Sequence, residues 1–213
     1  EELIGNTEGI IAYPGKDHFK VNEIKLKKKE DKKLNLLFVG NIVPHKCLDD
    51  ILEAILGIDK IKLDIVGNMD IDKECSMGIQ NKIKESHLGD KVEMHGYVSK
   101  EKLFEFYENS DVLVLPSNYE GYGLVIVEAL SYGLPVIATN KGGPKEIIDH
   151  GKEGFLVEPN NNEEIRDYIV TLKEDKDLLF RIRKNAKEKF GHLPTWEESM
   201  KNISNYISSF YKK

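Results

Sequence analysis

The sequence has little cysteine, a single tryptophan, no long apolar run and no surplus of positive charge, and these shortages narrow its function. Cys47 and Cys75 are its only two cysteines in 213 residues. They form neither a Cys-x-x-Cys pair nor a Cys/His ligand spacing, so no disulfide framework or zinc module is indicated and both thiols read as inert. His18, His45, His87, His95, His150 and His192 show no ligand spacing along the chain either, and none is a metal candidate by that criterion. No apolar stretch approaches the roughly 18 residues of a membrane span, and the N-terminus lacks a signal-peptide pattern, so the chain reads as cytoplasmic. A net charge of −6 argues against general nucleic-acid affinity, because a phosphate backbone calls for a basic face. There is no Gly-x-x-x-x-Gly-Lys-Ser/Thr, and Gly121-x-Gly123 is followed by Ile126 where a dinucleotide fingerprint has its third glycine. A P-loop NTPase and an NAD-binding protein are therefore not supported.

What is present is a globular composition, 40% hydrophobic and 32% charged, in a chain long enough for one domain or a little more. Short apolar runs at 9–13, 34–40, 61–67, 92–98, 111–115, 135–139 and 154–158 predict strands. Between them, helical patterns fall at 49–57, 74–87, 99–109, 123–131 and 143–150, with another starting at 160–162. Such alternation implies a parallel sheet with helices on both faces, whose ligand sits beyond the carboxyl ends of the strands. The loops after Gly40, Gly67, Val98, Leu115 and Thr139 should then share one rim. The tail carries two stripes, Ile165/Tyr168/Ile169/Leu172 and Trp196/Met200/Ile203/Ile207/Phe210, both read as core packing, the second with a partner domain as the alternative. A lysine-rich run, Lys25, Lys27, Lys28, Lys29, Lys32 and Lys33 with Glu30 and Asp31, reads as a solvated linker; peripheral contact with anionic lipid head groups is the alternative.

The chain is organised around residues 116–135. A buried strand leads into a loop with Glu120, Gly121 and Gly123, and then into a helix that is apolar nearly all round except for Glu128. An ionised carboxylate in such a helix needs a cation or a ligand's hydroxyls. The glycines admit close backbone approach, and a helix start just beyond a strand favours an anion.

Four motifs in order carry a resemblance: Ser117-x-x-Glu120-Gly-Tyr-Gly123; Glu128-Ala-Leu-Ser-Tyr-Gly133-x-Pro135; Gly142-Gly143-x-x-Glu146; and Gly151-x-x-Gly154. Together they resemble the donor-binding domain of the family 4 glycosyltransferases, in which two glutamates separated by seven residues are the signature. The resemblance implies a Rossmann-like α/β domain, the C-terminal half of a retaining GT-B enzyme, over residues 1–190, with a helical extension at 191–213. An acceptor-binding domain would precede residue 1. It implies transfer of a sugar from a nucleotide-diphosphate sugar, a UDP-sugar first, to a glycan, glycolipid or other acceptor, with no cofactor and no metal.

By the same resemblance Lys46 contacts the donor diphosphate, Glu120 faces the donor sugar and Glu128 the ribose, and the backbone at Gly121, Tyr122, Gly123 and Leu124 approaches sugar and phosphates. Gly40 closes the first strand, and Tyr97 and Val98 line the base pocket. Asn41 stands where the family usually has arginine, a departure that removes one cation from the clamp. His45, beside Lys46, is placed to meet a phosphate. Asp70-Ile-Asp72 imitates the metal-binding Asp-x-Asp of the other large glycosyltransferase architecture but falls in a polar loop and is not read as a site. A sugar-nucleotide epimerase and a noncatalytic nucleotide-sugar-binding module remain as rival readings.

Overall fold

The computed structural model describes residues 9–18, 26 and 33–210. Six strands, β1 (Leu34–Val39), β2 (Ile61–Val66), β3 (Val92–Gly96), β4 (Val112–Leu115), β5 (Val136–Thr139) and β6 (Gly154–Val157), form one sheet in the order β3-β2-β1-β4-β5-β6. Every pairing is parallel. The central strands β4 and β5 are nearly continuous apolar residues because helices cover both faces, β1 and β2 each admit one half-exposed polar position, and the edge strand β3 is half-exposed or exposed over most of its length. The parallel sheet expected from the alternation, and the Rossmann-like fold that the resemblance implies, are observed.

Helices follow the strands: α1 (Leu48–Ile55), α2 (Lys73–Glu85), α3 (Lys100–Asn109), α4 (Leu124–Ser131), α5 (Pro144–Ile147), α6 (Asn162–Glu174), α7 (Lys176–His192) and α8 (Trp196–Phe210). Side chains start several of them by accepting an orphan amide hydrogen: Asp72 from Cys75, Ser99 from Lys102, Asn161 from Glu164 and Asp175 from Leu178. The apolar stripe of α1 is buried through Leu48, Ile51, Leu52 and Ile55, and α6 packs on that helix. The Arg166 guanidinium donates to Ala54 O at 3.0 Å and also to Leu56 O, satisfying carbonyls at the end of α1.

Two expectations fail. Residues 9–13 are not a strand: they join no ladder, and Ile10 and Ile11 are exposed. The segment that follows is held by the far end of the chain instead. Lys16 N donates to Pro194 O at 2.9 Å, Lys16 Nζ to Phe190 O at 3.1 Å, and Trp196 N to Asp17 Oδ1 at 2.7 Å. The second tail stripe is not core either. Trp196, Met200, Ile207 and Phe210 are 42–56% exposed, and only Ile203 of the stripe is half-buried. The first stripe is core, with Ile165, Ile169 and Leu172 fully buried. Most of the lysine-rich run lies outside the described residues. No helix among the described residues is long and apolar enough to cross a membrane.

α7 is fastened to the sheet by a buried ion pair: Arg183 Nη1 lies 3.4 Å from Asp111 Oδ1, with side chains 8% and 1% exposed. Burial pulls the Arg183 pKa below its ordinary value, while Asp111 opposes that shift. Asp111 also accepts from Asn35 N at 2.9 Å, which ties the pair to the start of β1. Removing one partner leaves a buried charge, so Arg183→Ala is expected to lower the unfolding free energy by about 3–5 kcal/mol in urea titrations. A loss below about 1 kcal/mol would mean that the pair behaves as an exposed one.

Candidate functional site

β1 and β4 are neighbours, but the chain leaves β1 toward β2 and leaves β4 toward β5, so the loops beyond their carboxyl ends part and open a crevice. From β1 the chain runs through Gly40, Asn41 and buried Ile42 into a 3-10 turn, Pro44–Lys46. Cys47, at φ 52°, then turns it into α1. From β4 it runs through Ser117 and Glu120 to Gly123. Asn118 N donates to His45 O at 2.9 Å, bridging the two loops.

At that bridge Lys46 Nζ meets Glu120 Oε2 at 2.6 Å, each side chain less than a fifth exposed. The hydroxyl of fully buried Ser117 lies 3.5 Å from the same oxygen. A third loop, after β5, holds the Glu120 backbone: Gly142 and Glu120 form a parallel bridge, and Gly143 N donates to Glu120 O at 2.9 Å. A Cβ on Gly142 would stand 1.9 Å from Glu120 O, and one on Gly143 2.4 Å from Gly121 O. The glycine pair is thus explained by backbone running against backbone.

α4 begins beside the pair. Its first flanking residue is Gly123 at φ 89°, and no side chain caps it. The amides of its first turn are therefore offered to whatever enters the crevice, as is 45%-exposed Leu124. Tyr122 is half-buried, its ring 5.8 Å from that of Tyr13, and both line a cavity of about 370 Å³ with Glu146 and Pro194. One turn into α4, Glu128 is half-buried, and its Oε2 accepts the Tyr107 hydroxyl at 2.5 Å. Tyr107 is 1% exposed and stacks on Tyr132 at 5.3 Å. Burial, and then the charge and hydrogen bond of Glu128, hold the Tyr107 hydroxyl well above its ordinary pKa. To the cation or ligand expected for Glu128, the structure adds a neutral donor from α3. One hydroxyl takes one of about four acceptor positions on a carboxylate, so this bond does not by itself exhaust Glu128.

Gly40, Asn41 and Lys46 therefore share one crevice with Glu120, Gly121, Tyr122, Gly123 and Leu124, with Glu128 one turn deeper. Asn41 is exposed and adds no charge. Tyr97 and Val98 follow β3, two strands further along the rim; Tyr97 is 85% exposed and Val98 half-buried. The side chain of Asp72 caps α2, and Asp70 pairs with Lys73 at 3.7 Å, which accounts for both carboxylates of the Asp-x-Asp. Burial pushes both thiols, Cys47 and Cys75, above their ordinary pKa, in keeping with inert cysteines. Tyr107 was not anticipated. The available signal was its place on the inward stripe of α3, one turn after Leu103.

The tyrosine pair makes stability sensitive to alkali. Burial and the carboxylates of Glu108 and Glu128 push Tyr132 up to about 12, and Tyr107 is raised as well. Above its ordinary pKa near 10, a tyrosine of the unfolded chain loses its proton while the folded one keeps it. The contribution is complete below about pH 10 and is lost as pH rises through the folded value. Urea midpoints measured at about pH 9 and about pH 11 should fall for the wild type and fall less for Tyr132→Phe. At neutral pH Tyr107→Phe should cost about 1.5–3 kcal/mol, the range for a hydrogen bond to a charged group.

Comparison with known proteins agrees with this geometry. The family described as "Glycosyl transferases group 1" matches residues 20–189. An uncharacterized glycosyltransferase of Methanocaldococcus jannaschii is 33% identical over 167 residues, 78% of this chain and 46% of that protein. Among solved structures, the sucrose-phosphate synthase of Thermosynechococcus elongatus superposes with a TM-score of 0.76 at 28% identity, covering 85% of this chain and 46% of the other. HepE of Anabaena, solved with UDP-glucose, shares the fold at a TM-score of 0.76 and 23% identity, over 83% of this chain and 49% of its own. The chain thus spans about half the length of these proteins. With motif order, sheet topology and these matches in agreement, it belongs to the group 1 glycosyl transferases.

Proposed function

We propose that this chain is the donor-binding half of a retaining, family 4-type GT-B hexosyltransferase. It would carry a sugar from a nucleotide-diphosphate sugar, a UDP-sugar first, to a glycan, glycolipid or other acceptor held by a domain preceding residue 1. Residues 1–190 would form the donor domain and 191–213 its helical extension, in a cytoplasmic protein that touches the membrane at most peripherally. The observation that carries this reading is the Lys46–Glu120 pair, set at the crevice where the strand order reverses and beside a helix start that no side chain caps.

Cleavage of the sugar–phosphate bond leaves its electron pair on the diphosphate, and the Lys46 ammonium with the first amides of α4 would stabilise that charge without a metal. Before the donor arrives, Glu120 holds Lys46 in place. When the diphosphate takes over the ammonium, the Glu120 carboxylate turns to the sugar hydroxyls, its backbone still fixed by the Gly142-Gly143 loop. Glu128, oriented by Tyr107, would accept the ribose hydroxyls. The acceptor approaches from the face that the leaving group occupies, with groups from the preceding domain completing the site. This chain alone would bind donor and transfer poorly.

Lys46→Ala should weaken nucleoside diphosphate binding by about 1.5–3 kcal/mol in calorimetry while changing nucleoside binding far less. Equal losses for both ligands would refute the phosphate role. Asn41→Arg should tighten the diphosphate and leave the nucleoside unchanged. Binding of UDP-glucose should survive EDTA; loss on chelation and recovery with magnesium or manganese would overturn the metal-free clamp. Donor conversion without acceptor would favour an epimerase. Binding without transfer, even when joined to an acceptor domain, would favour a noncatalytic module.

A further inference from the structure

We propose that Asp64, Glu93 and His95 form a site for one first-row divalent cation, zinc being the best match, at the β2–β3 edge of the sheet, separate from the Lys46–Glu120 pair. One ligand atom from each of the three residues lies within 4.8 Å of the others, and His95 Nε2 is 2.7 Å from Asp64 Oδ1. Spacing along the chain hides the group, because the sheet register assembles it. Asp64 is the partner of Glu93, and the ladder then slips: Ile65 faces Met94 and Val66 faces Gly96, leaving His95 as the extra residue of a bulge. A bulge bends its strand and re-aims a side chain. Strand alternation puts Glu93 and His95 on one face with Asp64, and the imidazole also packs on Phe106 at 4.5 Å.

Asp64 is 7% exposed between buried Leu63 and Ile65, and a carboxylate so placed calls for a cation. Lys62, two residues earlier on the same face, fills that place, 2.9 Å from Asp64 and 3.1 Å from Glu93. Its side chain is 35% exposed on a flexible stem, so it can withdraw into water and be exchanged for a metal. An imidazole with two carboxylates suits zinc and its neighbours rather than calcium or magnesium, which take oxygen ligands. Drawing the three atoms in to about 2.0–2.2 Å from a common centre would clamp β3 to β2 just before Tyr97. The metal takes no part in sugar transfer, so the donor-binding test and this one can fail separately.

The experiment is a zinc titration of the full chain against a chromophoric chelator. The wild type should take up one equivalent and melt at a higher temperature with zinc than without. His95→Ala should lose at least about tenfold in affinity, since even groups that only support a metal's ligands are worth roughly 10–100-fold. Lys62→Met should bind zinc more tightly than wild type, because the resident cation is gone. His150→Ala, outside the cluster, should match the wild type, and circular dichroism of each apo variant checks its fold. The absence of stoichiometric uptake, or an affinity unchanged in either His95→Ala or Lys62→Met, overturns the site.

Discussion

The pairing of β1 with β4 is the constraint on which the remainder depends. It brings together two loops more than seventy positions apart in sequence, and because the chain departs from those strands in opposite directions, no crossover fills the space above them. Lys46 and Glu120 meet there because each loop is rigid on its own account. The 3-10 turn and left-handed Cys47 aim the lysine, while the Gly142-Gly143 backbone grips the glutamate from behind. With each side chain less than a fifth exposed, the contact is screened less than an ion pair between two free surface residues. The close backbone approach also makes the site intolerant of side chains at positions that never touch a ligand.

Much of the fold was legible in the sequence. Six of the seven predicted strands and the helices up to α6 lie where apolar runs and cap residues put them, α5 shorter than expected, because both faces of the sheet are covered and burial leaves a continuous apolar signal. Residues 9–13 carry the same apolar signal without a neighbour to pair with, and no local pattern distinguishes the two cases. The α8 stripe shows the complementary limit: periodicity records that a face is apolar, not that something covers it. At the site, the order of motifs located the crevice residues, and glycines explained by backbone collision were visible as glycines. Tyr107 was not visible as a partner of Glu128, since the contact joins two helices that β4 separates in sequence. Asp64 and His95 were hidden for a similar reason, their proximity being set by register and by a bulge.

Glu128 illustrates how a polar group is tolerated within an apolar helix. Its carboxylate accepts a hydroxyl whose own proton is held more tightly as a result. That couples α3 and α4 through a single short hydrogen bond, backed by the stacked Tyr107 and Tyr132 rings. A hydrogen bond from a neutral hydroxyl orients a carboxylate and leaves its charge in place.

The segment before β1 and the junction between α7 and α8 are fastened side by side, through Lys16 N to Pro194 O and Trp196 N to Asp17, with Gly15 pressed so closely on Trp196 that a methyl group there would stand 2.1 Å from its amide nitrogen. Two passes of chain pinned together behave unlike a single tether. A lone strand swivels about every backbone bond, whereas a doubled one bends chiefly about the line through its two anchor points. Anything joined to the chain ahead of this point, and touched by α8 beyond it, would open and close like a door on two pins rather than tumble on a string.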